Sequence, residues 1–138
     1  MKKIIAFVLT VFMFMGMTCF AQDINVTISG KKLDFDVQPV MECDRVLVPM
    51  RAIFENLGAT VSWDNDTSTA IAVKGDKVII IQIDNSKAFI NTEVKELDVP
   101  ARLISDRTLV PVRFVSEALN CKVDWNQDEQ TVVITPGQ

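Results

Sequence analysis

Arg51 and Glu55 stand four residues apart, and so do Arg113 and Glu117. On a helix that spacing sets a guanidinium beside a carboxylate, which makes an ion pair, an anion site or an acid–base pair. Trp63 and Trp125 bring indole rings that suit either carbohydrate stacking or core packing. Asp64, Asn65 and Asp66 crowd oxygen atoms together, as do Asn126, Gln127, Asp128 and Glu129. Calcium uses such donors. Neither stretch has the longer ligand spacing and distal glutamate of a calcium loop, so a hairpin turn fixed by Asx-type bonds is the expectation. Ser62, Ser68, Ser105 and Ser116 sit in no nucleophile motif, and the chain has no histidine to serve as their base. Asp34, Asp36, Glu93, Glu96 and Asp98 read as solvated carboxylates on hairpin strands. The expectation is therefore no catalytic residue, no metal ligand and no cofactor.

Most of these candidates come in pairs 62 residues apart. Residues 45–69 read RVLVPMRAIFENLGATVSWDNDTST, and residues 107–131 read RTLVPVRFVSEALNCKVDWNQDEQT. The register runs without a gap from Ile28/Ile90 to Val73/Thr135, and fifteen of those 46 pairs are identical. A repeat of that length implies one supersecondary unit used twice. The residues kept in both copies are Arg45, Pro49, Arg51, Glu55 and Trp63, matched by Arg107, Pro111, Arg113, Glu117 and Trp125. Chemistry usually breaks such symmetry, so these pairs read as a structural motif. Each tryptophan lies on the same strand face as Val61 or Val123, which predicts a core anchor packed on its own helix.

Helices are the best-marked elements. Pro49 and Pro111 fall at a first turn, where a missing N–H costs nothing. Gly58 and Asn120 fall just past the end and tolerate a left-handed cap. Between them Met50, Ile53, Phe54 and Leu57 make one apolar face. In the second copy Ser116 replaces Phe54, while Phe114 and Ala118 replace Ala52 and Asn56, which predicts a broader and more enclosed apolar arc. Residues 25–28 with 33–37, and 87–90 with 95–99, read as hairpins ahead of the helices. The alternation at Val61 and Trp63, and at Val123 and Trp125, with return strands at 69–73 and 131–135, reads as hairpins behind them. The run Val78-Ile79-Ile80-Ile81-Gln82-Ile83 has no counterpart, and its apolar content predicts a central strand covered on both faces. The fold class is α+β: an antiparallel β-meander with two helices, a pseudo-twofold repeat of a ββαββ unit plus one bridging strand.

Residues 1–21 stand apart. Lys2 and Lys3 precede an apolar core, and Cys19-Phe20-Ala21 puts small residues at the −3 and −1 positions of a cleavage site before Gln22, the layout of a secretory signal. An uncleaved anchor is the alternative. Residues 22–138 then form one domain of two repeats, about 24–76 and 86–136. Removing Lys2 and Lys3 leaves 12 basic against 18 acidic residues, a net charge of −6. Such a surface favours neither nucleic acid nor anionic lipid. Cys43 and Cys121 remain, at non-equivalent repeat positions. In an exported chain they can pair as a disulfide or stay as two small residues.

The run Arg-x-Leu-Val-Pro-x-Arg, followed about ten residues on by Val-x-Trp, resembles the copper amine oxidase N-terminal domain-like, or stalk, family of exported bacterial proteins. Arg45, Leu47, Val48, Pro49, Arg51, Glu55, Leu57, Gly58, Val61 and Trp63 carry the likeness, with Arg107, Leu109, Val110, Pro111, Arg113, Glu117, Leu119, Val123 and Trp125. The resemblance implies a domain without chemistry, since copper, quinone and catalytic residues of the name-giving oxidases lie in other domains. Composition agrees: with no histidine and no tyrosine, this chain offers neither an imidazole copper site nor a precursor for a tyrosine-derived quinone. The functional expectation is a non-catalytic, secreted or cell-surface bacterial binding or scaffold domain that presents a rigid surface to an envelope protein or cell-wall polymer. No stable membrane insertion is expected once the signal is cleaved. The alternative is an inhibitory or regulatory module that docks through the loops 39–44 and 101–106. Homo-oligomers by pairing of an edge strand such as 131–135 are a further expectation.

Overall fold

A computed structural model describes residues 23–137. The leader expected over residues 1–21 lies outside them. Thirteen strands and two helices follow in the order β1 Asn25–Ile28, β2 Lys31–Lys32, β3 Val40–Glu42, β4 Arg45–Pro49, α1 Met50–Asn56, β5 Thr60–Asp64, β6 Thr69–Lys74, β7 Lys77–Gln82, β8 Lys87–Ile90, β9 Glu93–Glu96, β10 Arg102–Ile104, β11 Arg107–Pro111, α2 Val112–Leu119, β12 Cys121–Asn126 and β13 Thr131–Pro136. The class is α+β, with mostly antiparallel strands.

Three sheets form. The middle one has the order β10-β11-β4-β3. Its two hairpins turn through Cys43-Asp44 and Ser105-Asp106, all four at positive φ between 49° and 66°. That pattern matches the right-handed twist of a two-residue hairpin. β4 and β11 pair antiparallel with Val48 opposite Val110, two positions 62 residues apart. The segments 39–44 and 101–106, expected as loops, are thus half strand. Their turn residues (Cys43, Asp44, Ser105, Asp106) carried the loop signal, and the short strands β3 and β10 were hidden beside them.

The outer sheets each join the end of one copy to the start of the other. One runs β5-β6-β7-β8-β9 as an antiparallel meander, with β7 as the bridge. The other runs β12-β13-β1-β2, and here β1 lies directly against β13 in parallel. The fold is therefore not one continuous meander. A strand near each end of the chain closes it.

Several expectations change. Residues 33–37 are not a strand: β2 is two residues long, joined to β1 by Ser29-Gly30 at φ 54° and 80°. The second hairpin turns on Asn91-Thr92 alone, so its return strand starts at Glu93. β13 is interior, between β12 and β1, and offers no free edge for a second chain. β7 is central, but its residues alternate: Ile79 and Ile81 are fully buried, whereas Val78 and Ile80 are exposed. A continuous apolar run does not reveal that only one face has a layer above it.

Both helices are short, so packing rather than propensity holds them. Pro49 and Pro111 are the last strand residues and hold extended N-cap geometry (ψ 120° and 133°), one step earlier than a first-turn position. Asn120 adopts the left-handed cap at φ 56°, ψ 51°, and Gly58 has φ 96°. α1 buries Met50, Ile53 and Phe54, with Leu57 just beyond it; α2 buries Phe114, Val115, Ala118 and Leu119. The apolar arc has rotated: each stretch of eight buries four positions, and α2 leaves two exposed (Arg113, Glu117) where α1 with Leu57 leaves three (Arg51, Glu55, Asn56). Phe54 and Phe114 are the largest fully buried side chains, packed with Val48, Val110, Ile79, Ile81, Val26 and Ile134 in one core. Leu47, Leu109 and Val99 form a smaller cluster with Val37, Val40 and Ile104.

Candidate functional site

The paired motif residues converge on two grooves. The first is lined by Pro49, Met50 and Arg51 at the start of α1, by Val61 and Trp63 of β5, and by Leu103, Asp106, Arg107 and Thr108 of the β10–β11 hairpin. The second is lined by Pro111, Val112 and Arg113, by Val123 and Trp125 of β12, and by Met41, Asp44, Arg45 and Val46 of the β3–β4 hairpin. Every residue in the second set lies 62 positions from one in the first. Each groove thus takes its helix start and tryptophan from one copy and its hairpin wall from the other. Their volumes are about 700 and 470 Å3.

The tryptophans are not core anchors. Trp63 is half-buried against the edge of the core, and Trp125 is 37% exposed. Both face the helix side, as the alternation requires, since Trp63 pairs with Ala70 and Trp125 with Val132. β5 and β12 are edge strands, however, so one side of each ring has no neighbouring strand to cover it. The turn that follows fixes the polar edge of each ring. Trp63 Nε1 donates to Asn65 Oδ1 at 3.3 Å, and Trp125 Nε1 donates to Gln127 Oε1 at 2.8 Å. A ring held by one edge and open on one face is a preorganised contact surface.

The arginines do not pair as their helical spacing suggests. Among the described residues, neither Arg51 with Glu55 nor Arg113 with Glu117 approaches within ion-pair distance; Arg113 instead reaches Asp98 at 3.5 Å. The strand arginines reach across copies. Arg45 Nε donates to Asp98 Oδ2 at 2.9 Å, and Arg107 donates to Asp36 Oδ2 through Nε at 3.1 Å and Nη2 at 2.6 Å. Asp36 and Asp98 are themselves 62 residues apart, so the two ties are counterparts. The Arg107 guanidinium holds the Asp36 carboxyl below the usual carboxylate range. The identity of Asp36 and Asp98 in both copies was the available signal for these partners, and a reading of them as merely solvated missed it. Arg102 adds a further tie, with Nη1 donating at 2.6 Å to both oxygens of Glu42. It links the two hairpins of the middle sheet.

The oxygen-rich turns are hairpin turns. Asp64 Oδ1 accepts from the Asp66 N–H at 3.0 Å, and Asn126 Oδ1 accepts from the Glu129 N–H at 3.1 Å. No group of three or more acidic or cysteine side chains converges on a point among the described residues. Cys43 and Cys121 are free thiols, not a disulfide. Cys43 is exposed in the β3–β4 turn, whereas Cys121 opens β12, half-buried, with its Sγ 3.6 Å from the Val115 carbonyl. Burial pushes the Cys121 thiol pKa up, and the nearby Lys74 partly offsets that shift. No helix among the described residues is long and apolar enough to cross a membrane.

The grooves hold aromatic, guanidinium and proline surface together with hydroxyls and carboxylates, and the Ser62 and Ser116 hydroxyls donate to the main-chain carbonyls of Ile71 and Arg113. The copper amine oxidase N-terminal domain family matches residues 27–134, a span that includes both Arg-x-Leu-Val-Pro-x-Arg runs and both tryptophans. A protein of Brevibacillus choshinensis named "Protease inhibitor" is 30% identical over 112 residues, covering 81% of this chain and 34% of that protein. The chain thus spans about a third of that relative's length. With most of its described residues inside the matched span, this chain belongs to the copper amine oxidase N-terminal domain family.

Proposed function

We propose that this chain is a non-catalytic, exported binding module that seats a protein partner against its two tryptophan–arginine grooves. One observation carries the reading: nine of the ten motif residues kept in both copies line two open grooves, with the indole of Trp125 left 37% exposed. A residue kept for the core alone would be covered. Aromatic and arginine side chains are the groups that dominate protein contacts. A related protein named as an inhibitor favours a protein over a wall polymer as partner. Export rests on the leader expected over residues 1–21.

The test is co-purification from a bacterial envelope fraction with the wild-type chain beside Trp63→Ala and Trp125→Ala, each checked for an intact fold. A partner retained by the wild type and lost by both variants supports the reading. Retention that ignores both substitutions removes the grooves from the function. A parallel arm on purified peptidoglycan separates a wall polymer from a protein.

A second reading has its own support in the relative's name: inhibition of a protease by the same surface. The tips Cys43-Asp44 and Ser105-Asp106 close the hairpins that wall the grooves, and they are all exposed. A panel of secreted serine, cysteine and metallo-proteases assayed with and without the chain tests it, and no slowed hydrolysis in any class rejects it.

A further inference from the structure

We propose that each groove takes an extended segment of a protein partner as an added β-strand, held by main-chain hydrogen bonds to β5 in the first groove and to β12 in the second. The inference rests on the protein-partner reading of the grooves and names the form in which the partner enters. Register decides which main-chain groups are free. The two-residue turn Gly75-Asp76 makes Lys74 and Lys77 a hydrogen-bonded pair, and such pairs alternate along an antiparallel ladder. Ala70 and Ala72 therefore bond to β7, whereas Thr69, Ile71 and Val73 bond to β5. The Asn91 N–H donates to the Val78 carbonyl at 2.7 Å and the Ile83 N–H to the Ser68 carbonyl at 2.9 Å, in the same phase. On β5 the ladder thus uses Thr60, Ser62 and Asp64. The N–H and C=O of Val61 and Trp63 point the other way, out of the free edge.

The hairpin wall repeats the arrangement. Its turn Ser105-Asp106 makes Ile104 and Arg107 the bonded pair, so Leu103, one step on, keeps its N–H and C=O free on the edge strand β10. Val61, Trp63 and Leu103 all line the first groove. In the second, the Ser29 N–H donates to the Ile134 carbonyl at 3.1 Å, so Ile134 faces β1; its partner Val123 on β12 is free, as is Trp125 two residues on. Met41 is the counterpart of Leu103. Each groove is thus bordered by two unpaired strand edges from different sheets. N–H and C=O groups repeating at every second residue match another polypeptide strand, which returns both kinds of group at the same spacing; a glycan strand has no such row. Edges are ordinarily guarded by charge. β2 is two lysines and β9 is Glu93-Val94-Lys95-Glu96, but Val61-Ser62-Trp63 carries no charge. Leu103 and Met41, 47% and 51% exposed, offer apolar contact to side chains of the added strand.

A phage-displayed library of linear random dodecapeptides, panned on the protein recovered after export from a bacterial host, supplies the probe. Enriched peptides are remade synthetically and titrated by calorimetry, each with its main-chain nitrogens N-methylated one at a time. The expected result has a period of two: alternate methylations weaken binding at least ~10-fold and those between change it little, because only every second N–H faces the edge. In the complex, amide exchange slows at Val61 and Trp63, at Val123 and Trp125, or at both pairs. Val61→Pro removes an edge donor that the β6 ladder does not use and weakens binding in the first groove. The methylation series uses the wild-type protein, so a folding defect in that variant leaves the test intact. No enriched peptide, a flat methylation series, or exchange unchanged on both β5 and β12 overturns strand addition. An envelope partner still lost with Trp63→Ala and Trp125→Ala would then leave the groove reading standing. Conversely, a period-two series that both tryptophan substitutions leave untouched supports the strand and removes the tryptophans from the function.

Discussion

Replacing Trp125 with alanine tests the groove geometry directly. An aromatic side chain has ~150–250 Å2 to bury. Trp125 is 37% exposed, which leaves roughly 100–150 Å2 covered. At ~25 cal/mol per Å2 that is worth about 2.5–4 kcal/mol, an upper bound because the unfolded chain already covers part of it. The edge strand β12 can relax inward, and alanine keeps some of the contact. Trp125→Ala therefore costs about 1.5–3 kcal/mol, against about 3–5 kcal/mol for the fully buried Phe114→Ala. Urea unfolding followed by far-UV circular dichroism measures both on one scale. Fluorescence adds a second readout: with two tryptophans and no tyrosine, Trp63→Ala leaves Trp125 as the sole emitter. Its emission should be red-shifted and readily quenched by acrylamide. If Trp125→Ala costs as much as Phe114→Ala and the lone Trp125 resists quenching, the ring is enclosed in solution. The groove reading would then fail.

Three further outcomes follow from the same geometry. The folded-state pKa of Asp36 is depressed by Arg107, so its contribution to stability is present above the unfolded value and fades as pH falls through the lower folded value; Asp36→Asn should flatten the thermal midpoint against pH below about pH 4 and leave the neutral region's slope alone. Cys43 should react with a thiol reagent rapidly in the native state, and Cys121 slowly until the chain unfolds, because Cys121 is half-buried with a raised thiol pKa; equal rates would contradict the placement of β12. Asn120→Gly should be nearly neutral and Asn120→Ala should cost about 1 kcal/mol in chemical denaturation, since alanine tolerates φ 56° poorly.

Features set by neighbouring residues were legible in the sequence. The helix stops at Gly58 and Asn120, the Asx-bonded turns after Trp63 and Trp125, and the apolar stripes of both helices were all readable from spacing. What depends on a distant neighbour was not. Nothing around Thr131 announces that its partner is Asn25. The alternation at Trp63 and Trp125 gave the correct strand face, but burial depends on whether a further strand lies alongside, and none does. The helical spacing of Arg51 and Glu55 suggested a local pair, while the ion pairs that formed join Arg45 to Asp98 and Arg107 to Asp36. Those carboxylates sit 53 and 71 residues away in the chain.

The parallel contact between β1 and β13 also governs the order of assembly. Asn25 finds Thr131 only when nearly the whole chain is available, and closing so large a loop carries its entropic cost before any contact rewards it. As the polypeptide emerges, β1 has only the two-residue β2 beside it until β13 arrives. The meander of β5 to β9 needs only near neighbours and can form meanwhile. The outer sheet that holds Trp125 should therefore be last to lock and, under mild denaturant, first to open. Amide exchange would then be faster across β1 and β13 than across β6 and β7, and the two grooves, so alike in composition, would differ in how long each persists.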